Sequence, residues 1–278
     1  MMATILIVGA TGNVGGALAR ELAAAGVPAR ALVRHDADLP PGIEPVRGDL
    51  ADPPSLDPAL DGTGAVFLVW PNGDPAGAED VVARLAGRRV AYLSMYGADD
   101  GVGATPIARM HGRLERLVRE HAGEWSLLRA GGFAANTLGW ADQVREGRVR
   151  WPYGEAGRSL VHEDDLAAVA RVALTTDRLV GAAPHLTGPE TLTQRAQVQT
   201  IGEVLGLEVE WEELSRTEAR DRLLGWGWPT ETVDGALDAW AAMVASPEIV
   251  SSDLERVLGR PAIPFAQWVR DHAAAFRP

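Results

Sequence analysis

The sequence predicts an α/β fold, a doubly wound parallel sheet followed by a smaller, mainly helical C-terminal lobe. Three observations carry that expectation. Short β-branched runs alternate with helical segments through the first half of the chain, the pattern of parallel strands joined by crossover helices. A glycine-rich turn, Gly9-Ala10-Thr11-Gly12-Asn13-Val14-Gly15, follows the first run directly and opens a helix. Beyond about residue 188 the strand rhythm stops, and the chain becomes helical and rich in tryptophan.

Taken in order, strands are expected at 4–8 (TILIV), 29–33 (ARALV), 43–46 (IEPV), 65–69 (AVFLV), 89–93 (RVAYL) and 125–129 (WSLLR). Most are short and strongly apolar, as strands buried on both faces are. Helices fill the gaps at about 13–25, 76–86 and 105–121. In the last of these, Leu114, Leu117, Val118 and His121 recur at three- and four-residue spacing. The Pro- and Asp-rich 36–61 stretch reads as loop with one short helix near 55–60. A Gly-rich segment at 130–140 leads into a further helix, and SLVH at 159–162 reads as another strand. The 162–176 segment reads as a helix whose Glu163, Asp164 and Asp165 suit the positive end of its dipole. Later helices are expected near 194–205, 230–245 and 264–276, and Ser215 and Glu218 are spaced as a capping box. This reading divides the chain into 1–187, with about 133–158 contributing to the lobe, and 188–278.

Composition narrows the function. The 278 residues are 46% hydrophobic and 23% charged, enough to bury a sizeable core. No apolar run reaches the roughly 18 residues that a membrane span needs. TILIV passes at once into glycines, unlike the cleavage region of a signal peptide, so a cytoplasmic protein is expected. A net charge of −12 and a pI near 5.0 oppose a nucleic-acid binder that tracks phosphates. The absence of cysteine removes disulfides, thiolate catalysis and Cys-ligated zinc. All 26 basic residues are arginine, so Schiff-base lysines, P-loop lysines and Tyr-x-x-x-Lys relays are impossible. The six histidines show no metal-pair spacing, and no metal is expected.

The glycine turn has the flanks of a Rossmann-type dinucleotide site. Gly9 allows the tight turn, Gly12 lets the backbone approach a pyrophosphate, and Gly15 lets helix and strand pack closely. Arg34 stands at the end of the second strand, where an NAD-specific site places a carboxylate. An arginine there can pair with a 2′-phosphate, which points to NADP(H).

The glycine spacing, GxxGxxG, belongs to a longer series. With Gly48-Asp49-Leu50, His111-Gly-Arg-Leu-Glu115, the Trp125–Asn136 segment and Leu186-Thr-Gly188-Pro-Glu190-Thr-Leu192-Thr193, it resembles the NmrA-like group of atypical short-chain dehydrogenase/reductases. That group includes NADPH:quinone reductases, triphenylmethane reductases and NADP-sensing regulators, and the resemblance spans essentially the whole chain. It implies that Asp49 contacts the adenine with Leu50 beside it. It further implies that Val69 and Trp70 line the cofactor and that Gly131, Gly132 and Phe133 lie near the nicotinamide ribose. Ser94 and Met95 fall just past the fifth strand. The substrate is implied to lie between the sheet's C-terminal edge and the smaller lobe.

One departure concerns the proton relay. Tyr92, Tyr96 and Tyr153 are followed four residues later by Tyr96, Asp100 and Gly157. His111 stands where the related isoflavone-reductase-like branch has a catalytic lysine. The catalytic candidates are therefore His111, Tyr96 and Ser94, each set against a packing or structural role. The leading expectation is NADPH-dependent reduction of a quinone, enone, ketone or similar conjugated molecule by a monomer or homodimer. A non-catalytic redox sensor is the alternative, and an isomerase or dehydratase that uses the cofactor transiently is a further one. Trp226-Gly-Trp228-Pro reads as lobe core, with an aromatic wall for a flat substrate as the second reading.

Overall fold

The computed structural model describes residues 3–71, 74–98 and 105–277. Strand β1 (Thr4–Val8) ends at the glycine turn, and α1 (Asn13–Ala24) leads to β2 (Ala29–Val33) and β3 (Ile43–Arg47). A 3₁₀ turn and α2 (Asp57–Leu60) precede β4 (Thr63–Leu68), α3 (Ala78–Arg84), β5 (Arg89–Met95), α4 (Pro106–His121) and β6 (Glu124–Ala130). A second 3₁₀ segment (Ala134–Trp140) runs into α5 (Ala141–Arg145), β7 (Arg148–Trp151) and β8 (Gly157–Arg158). Next come α6 (Glu163–Thr175), β9 (His185–Leu186), β10 (Leu192–Thr193), α7 (Gln194–Leu205) and β11 (Glu210–Glu213). The chain closes with α8 (Arg216–Gly225), α9 (Thr230–Ala245), α10 (Asp253–Leu258), α11 (Phe265–Asp271) and α12 (Ala273–Phe276).

These elements form two compact units. The first comprises residues 1–130, 163–186 and 253–260, and the second 131–162, 187–252 and 261–278.

In the first unit, seven parallel strands lie in the order β3-β2-β1-β4-β5-β6-β9. The order reverses between β1 and β4, the switch point where open α/β sheets bind ligands, and the glycine turn leaves β1 there. Side chains alternate across the sheet. Leu6, Val8, Val66, Leu68, Val90 and Tyr92 pack with Val81 and Val82 of α3 and Leu114 and Val118 of α4. Ile5, Ile7, Phe67 and Ala91 alternate with them and are equally buried, on the face where α1 packs against α6. An Arg171–Glu21 ion pair of 2.7 Å links those two helices.

The second unit has its own core, built on Phe265, Trp268, Phe276, Ile201, Leu223 and Leu237. The Ser215–Glu218 capping box forms with both of its bonds.

Four local expectations need correction. The sheet has a seventh strand, β9, whose two residues are too short to show a period. SLVH makes no ladder. Instead Val161 bridges Phe133, its N–H bonding Gly132 (2.7 Å) and its carbonyl accepting from Ala134 (3.0 Å). Within the C-terminal stretch read as helical, β11 pairs in parallel with β7. The helix expected over 264–276 breaks at His272, whose ring and backbone nitrogens both lie in hydrogen-bond reach of the Trp268 carbonyl (2.9 and 3.0 Å).

Candidate functional site

The glycine turn is shaped by close approach. Gly9 has φ +85°, and a Cβ there would lie 3.1 Å from that of Val69. A Cβ on Gly15 would lie 2.1 Å from the Gly9 carbonyl oxygen, an impossible contact. Gly12 differs. A Cβ there meets only that same oxygen, at 3.4 Å, so the fold itself does not demand a glycine. Gly12 is the N-cap of α1, with no side-chain cap and no acidic residue in the first turn. Thr11, Gly12 and Asn13 are exposed, while Val14 is buried and anchors the helix start. Uncapped amides at the positive end of a helix dipole are a ready anion site. The cradle fits a diphosphate.

At the end of β2, Arg34 is exposed, and its guanidinium makes no hydrogen bond or ion pair among the described residues. The register sets Arg47 opposite Val33. Arg47 donates to the Arg34 carbonyl (2.7 Å) and to Asp36 Oδ1 (2.6 Å), which neutralises the nearest carboxylate of the loop. Asp49 spends its carboxylate on the Ala51 N–H (3.0 Å), shaping its own turn, and Leu50 packs on the first unit's core. Val69 sits against Gly9, and buried Trp70 donates to the Asp74 carbonyl at 2.9 Å.

A polar cluster joins β5, α4 and β6. The fifth strand runs on to Met95, so Ser94 lies inside it, 2% exposed, with Oγ donating to Glu115 Oε1 at 2.7 Å. Two bonds from Arg129 (2.8 and 2.6 Å) and one from Arg119 (3.1 Å) complete the shell of Glu115. Burial raises the Glu115 pKa, but the bonds from Arg129 and Ser94 and the two positive charges outweigh it, and the carboxyl titrates below its ordinary value.

His111 Nδ1 lies 2.6 Å from the hydroxyl of fully buried Tyr92. Burial, reinforced by the charge of Glu115, pushes the Tyr92 phenol far above its ordinary range. Burial also lowers His111 to about 4, against the opposing pull of Glu115. Both groups are neutral near pH 7. Tyr92 therefore donates to Nδ1, which places the imidazole proton on Nε2. Tyr96, beyond the strand, is 52% exposed and stacked on His185 with ring centroids 3.7 Å apart. Its hydroxyl makes no hydrogen bond among the described residues. Asp100, four residues further on, lies outside the described residues.

In the second unit, a Cβ on Gly132 would lie 2.6 Å from Arg158 Nη2 and 2.8 Å from Leu160 Cδ2. Gly131 precedes it, and Phe133 bridges Val161. Trp226 and Trp228, read from sequence as lobe core, are 49% and 40% exposed and line a cavity. The residues that sequence reasoning missed are Arg47, Tyr92, Glu115 and Arg129. Tyr92 and His111 are 19 residues apart on different elements, and no spacing rule connects them. Only the His111–Glu115 interval, one helical turn, hinted at a shared face.

A model of an NAD(P)H-binding family matches residues 9–177, more than half of the chain. The chain belongs to that family. Within it, the protein is of the NmrA-like atypical short-chain type and is an NAD(P)H-dependent oxidoreductase. This family member is 37% identical over 284 residues to the (4-alkanoyl-5-oxo-2,5-dihydrofuran-3-yl)methyl phosphate reductase of Streptomyces griseus, covering 99% of each chain. It is 32% identical to the NAD(P)H azoreductase of Xenophilus azovorans, over 98% of this chain and 99% of that one. The fold is that of the triphenylmethane reductase of Citrobacter sp., with a TM-score of 0.80 at 24% identity, over 98% of this chain and 99% of that one. Among the described residues no helix is long and apolar enough to cross a membrane.

Proposed function

We propose that this chain is an NADPH-preferring reductase of small conjugated or aromatic electrophiles, such as quinones, enones or ketones. The observation that carries the reading is the neutral His111, fixed by Tyr92 so that its Nε2–H remains free to donate. A neutral imidazole can polarise a carbonyl without first losing a proton to solvent. The two relatives named above act on an oxo-dihydrofuran phosphate and on azo compounds, both conjugated acceptors.

When bound, the nicotinamide supplies the hydride. This chain's residues do the rest. The Gly9–Gly15 turn, with Thr11, Asn13 and Val14, holds the diphosphate, and Arg34, with Arg47 behind it, pairs with the 2′-phosphate. Asp49 contacts the adenine, with Leu50 beside it. Val69 and Trp70 line the remainder within the first unit. His111 Nε2 and the Tyr96 hydroxyl stabilise the charge that develops on the substrate oxygen. Ser94 acts as a positioning residue, through its bond to Glu115. In this reading residues 1–187 carry the nucleotide, and 188–278 with about 133–158 carry the substrate.

The test is NADPH oxidation across a panel of quinones and enones, followed at the reduced-nicotinamide absorbance. Turnover is expected. His111→Ala and Tyr96→Phe should each lower the maximal rate by about 100-fold while leaving NADPH affinity nearly unchanged, as for the loss of one oxyanion donor. No turnover on any member, together with tight binding of NADP⁺, would replace this reading with that of a redox sensor.

A further inference from the structure

Three side chains of the second unit that no spacing rule connects come together in the fold. His162 and Asp271 are 109 residues apart in the chain, yet His162 Nε2 lies 3.4 Å from Asp271 Oδ2. The next residue, His272, brings a ring nitrogen within 4.8 Å of one on His162. His162 is only 2% exposed, whereas the Asp271 side chain is 44% exposed. A solute ion can therefore reach the buried imidazole from the Asp271 side.

A separation of 3.4 Å is long for a hydrogen bond to a carboxylate. It is the right length for two ligands of one ion. Metal bonds of roughly 2.0–2.1 Å at a tetrahedral angle set their ligand atoms about 3.3 Å apart.

The donors are also held in place. Gln267 Nε2 donates to Asp271 Oδ1 at 2.8 Å, and it is the other carboxylate oxygen, Oδ2, that faces His162. His272 Nδ1 lies 2.9 Å from the Trp268 carbonyl, which can only accept. In the neutral ring this nitrogen carries the proton, and the lone pair is on Nε2. The ring is stacked on the fully buried Trp268 indole, with centroids 4.3 Å apart. Metal-ligating histidines and carboxylates are oriented by supporting hydrogen bonds of this kind.

The donor types select the ion. Calcium and magnesium take oxygen ligands, six or more of them, whereas two imidazoles and a carboxylate suit zinc and its first-row neighbours. We propose that His162, Asp271 and His272 form a binding site for a divalent transition-metal ion of the zinc class. The ion pins the C-terminal end of α11 to the chain at His162. This site takes no part in the reductase reading, and its occupancy depends on neither nucleotide nor turnover.

Equilibrium dialysis of the untagged full chain against Zn²⁺ tests it, with Co²⁺ as an absorbing probe. One Zn²⁺ should bind per chain, and Co²⁺ should develop tetrahedral-type visible bands that Zn²⁺ abolishes. His162→Gln, Asp271→Asn and His272→Gln should each weaken Zn²⁺ by about 100-fold or more, the upper end of what loss of a mere supporting group costs. His121→Gln, in the first unit, should leave the affinity unchanged. Zn²⁺ should raise the unfolding temperature of the unmodified chain and not that of Asp271→Asn. Should His162→Gln fail to fold, Asp271→Asn alters an exposed side chain and carries the test alone. No binding, several ions of equal affinity, or Asp271→Asn and His272→Gln binding as tightly as the unmodified chain would overturn the proposal. The last two outcomes would mark adventitious surface binding only.

Discussion

Gly12 and Gly15 share a motif but answer to different forces. Gly15 is fixed by the fold, since any Cβ would lie 2.1 Å from the Gly9 oxygen. Gly12 is extended, at φ −90° and ψ 175°, and open to solvent, so the fold tolerates a side chain there. Gly12→Val should thus keep wild-type stability and lose NADPH binding, while Gly15→Ala should cost roughly 1–3 kcal/mol of stability from overpacking. Urea unfolding and nucleotide titration of the two variants check both halves. If Gly12→Val binds NADPH normally, the assignment of this turn is wrong. His111 gives a pH signature of its own. An unfolded-chain imidazole takes its proton near pH 6.5, but the folded one stays neutral until about 4. The unfolded state therefore binds more protons in that window, and stability falls as the pH is lowered through it, by up to about 3 kcal/mol. His111→Gln should flatten the pH dependence of urea unfolding between those limits. An unchanged slope would refute the burial argument.

At the scale of elements, one carboxylate holds three of them together. Glu115 on α4 receives bonds from Ser94 on β5 and Arg129 on β6. Glu115→Gln leaves Arg129 without its counter-ion, but the Arg129 side chain is 30% exposed and remains partly solvated. The cost should be about 1–3 kcal/mol, below that of breaking a fully buried pair. Ser94→Ala should cost about 1 kcal/mol by the same measurement. A cost near zero for Glu115→Gln would mean that the cluster contributes nothing to stability. The Gly188–Thr193 segment, a family marker in the sequence, is likewise explained by packing. A Cβ on Gly188 would lie 2.0 Å from the Leu160 oxygen, Glu190 accepts the Phe265 N–H (3.2 Å), and Thr193 caps α7.

For the whole molecule, a net charge of −12 repels anions except where cations gather, and the end of β2 is such a place. Binding to the folded state alone raises its stability, by about 2.7 kcal/mol at 100 times the dissociation constant. NADPH should therefore raise the unfolding temperature of the full chain. Charge-assisted bonds contribute about 1.5–3 kcal/mol, so Arg34→Ala should weaken NADPH about 10- to 100-fold and shrink that shift. The shift with NADH should stay nearly constant. Equal losses with both nucleotides, or a wild-type preference for NADH, would reverse the cofactor assignment.

The sequence by itself determined what depends on neighbours along the chain. The six longer sheet strands, the glycine turn between β1 and α1, the capping box at Ser215 and the chemistry removed by the absence of lysine and cysteine are all local in this sense. Apolar periodicity and backbone conformation are set within a few residues, so they are legible in order. The tertiary structure decided the rest. It joined Tyr92 to His111, buried Glu115 under Ser94 and Arg129, set Arg47 beside Arg34 through strand register, and drew β9 and β11 into ladders too short or too polar to announce themselves. It also turned Trp226 and Trp228 from expected core into cavity wall. These outcomes depend on which surfaces meet, and a pairing between residues distant in the chain leaves no period in the sequence to read.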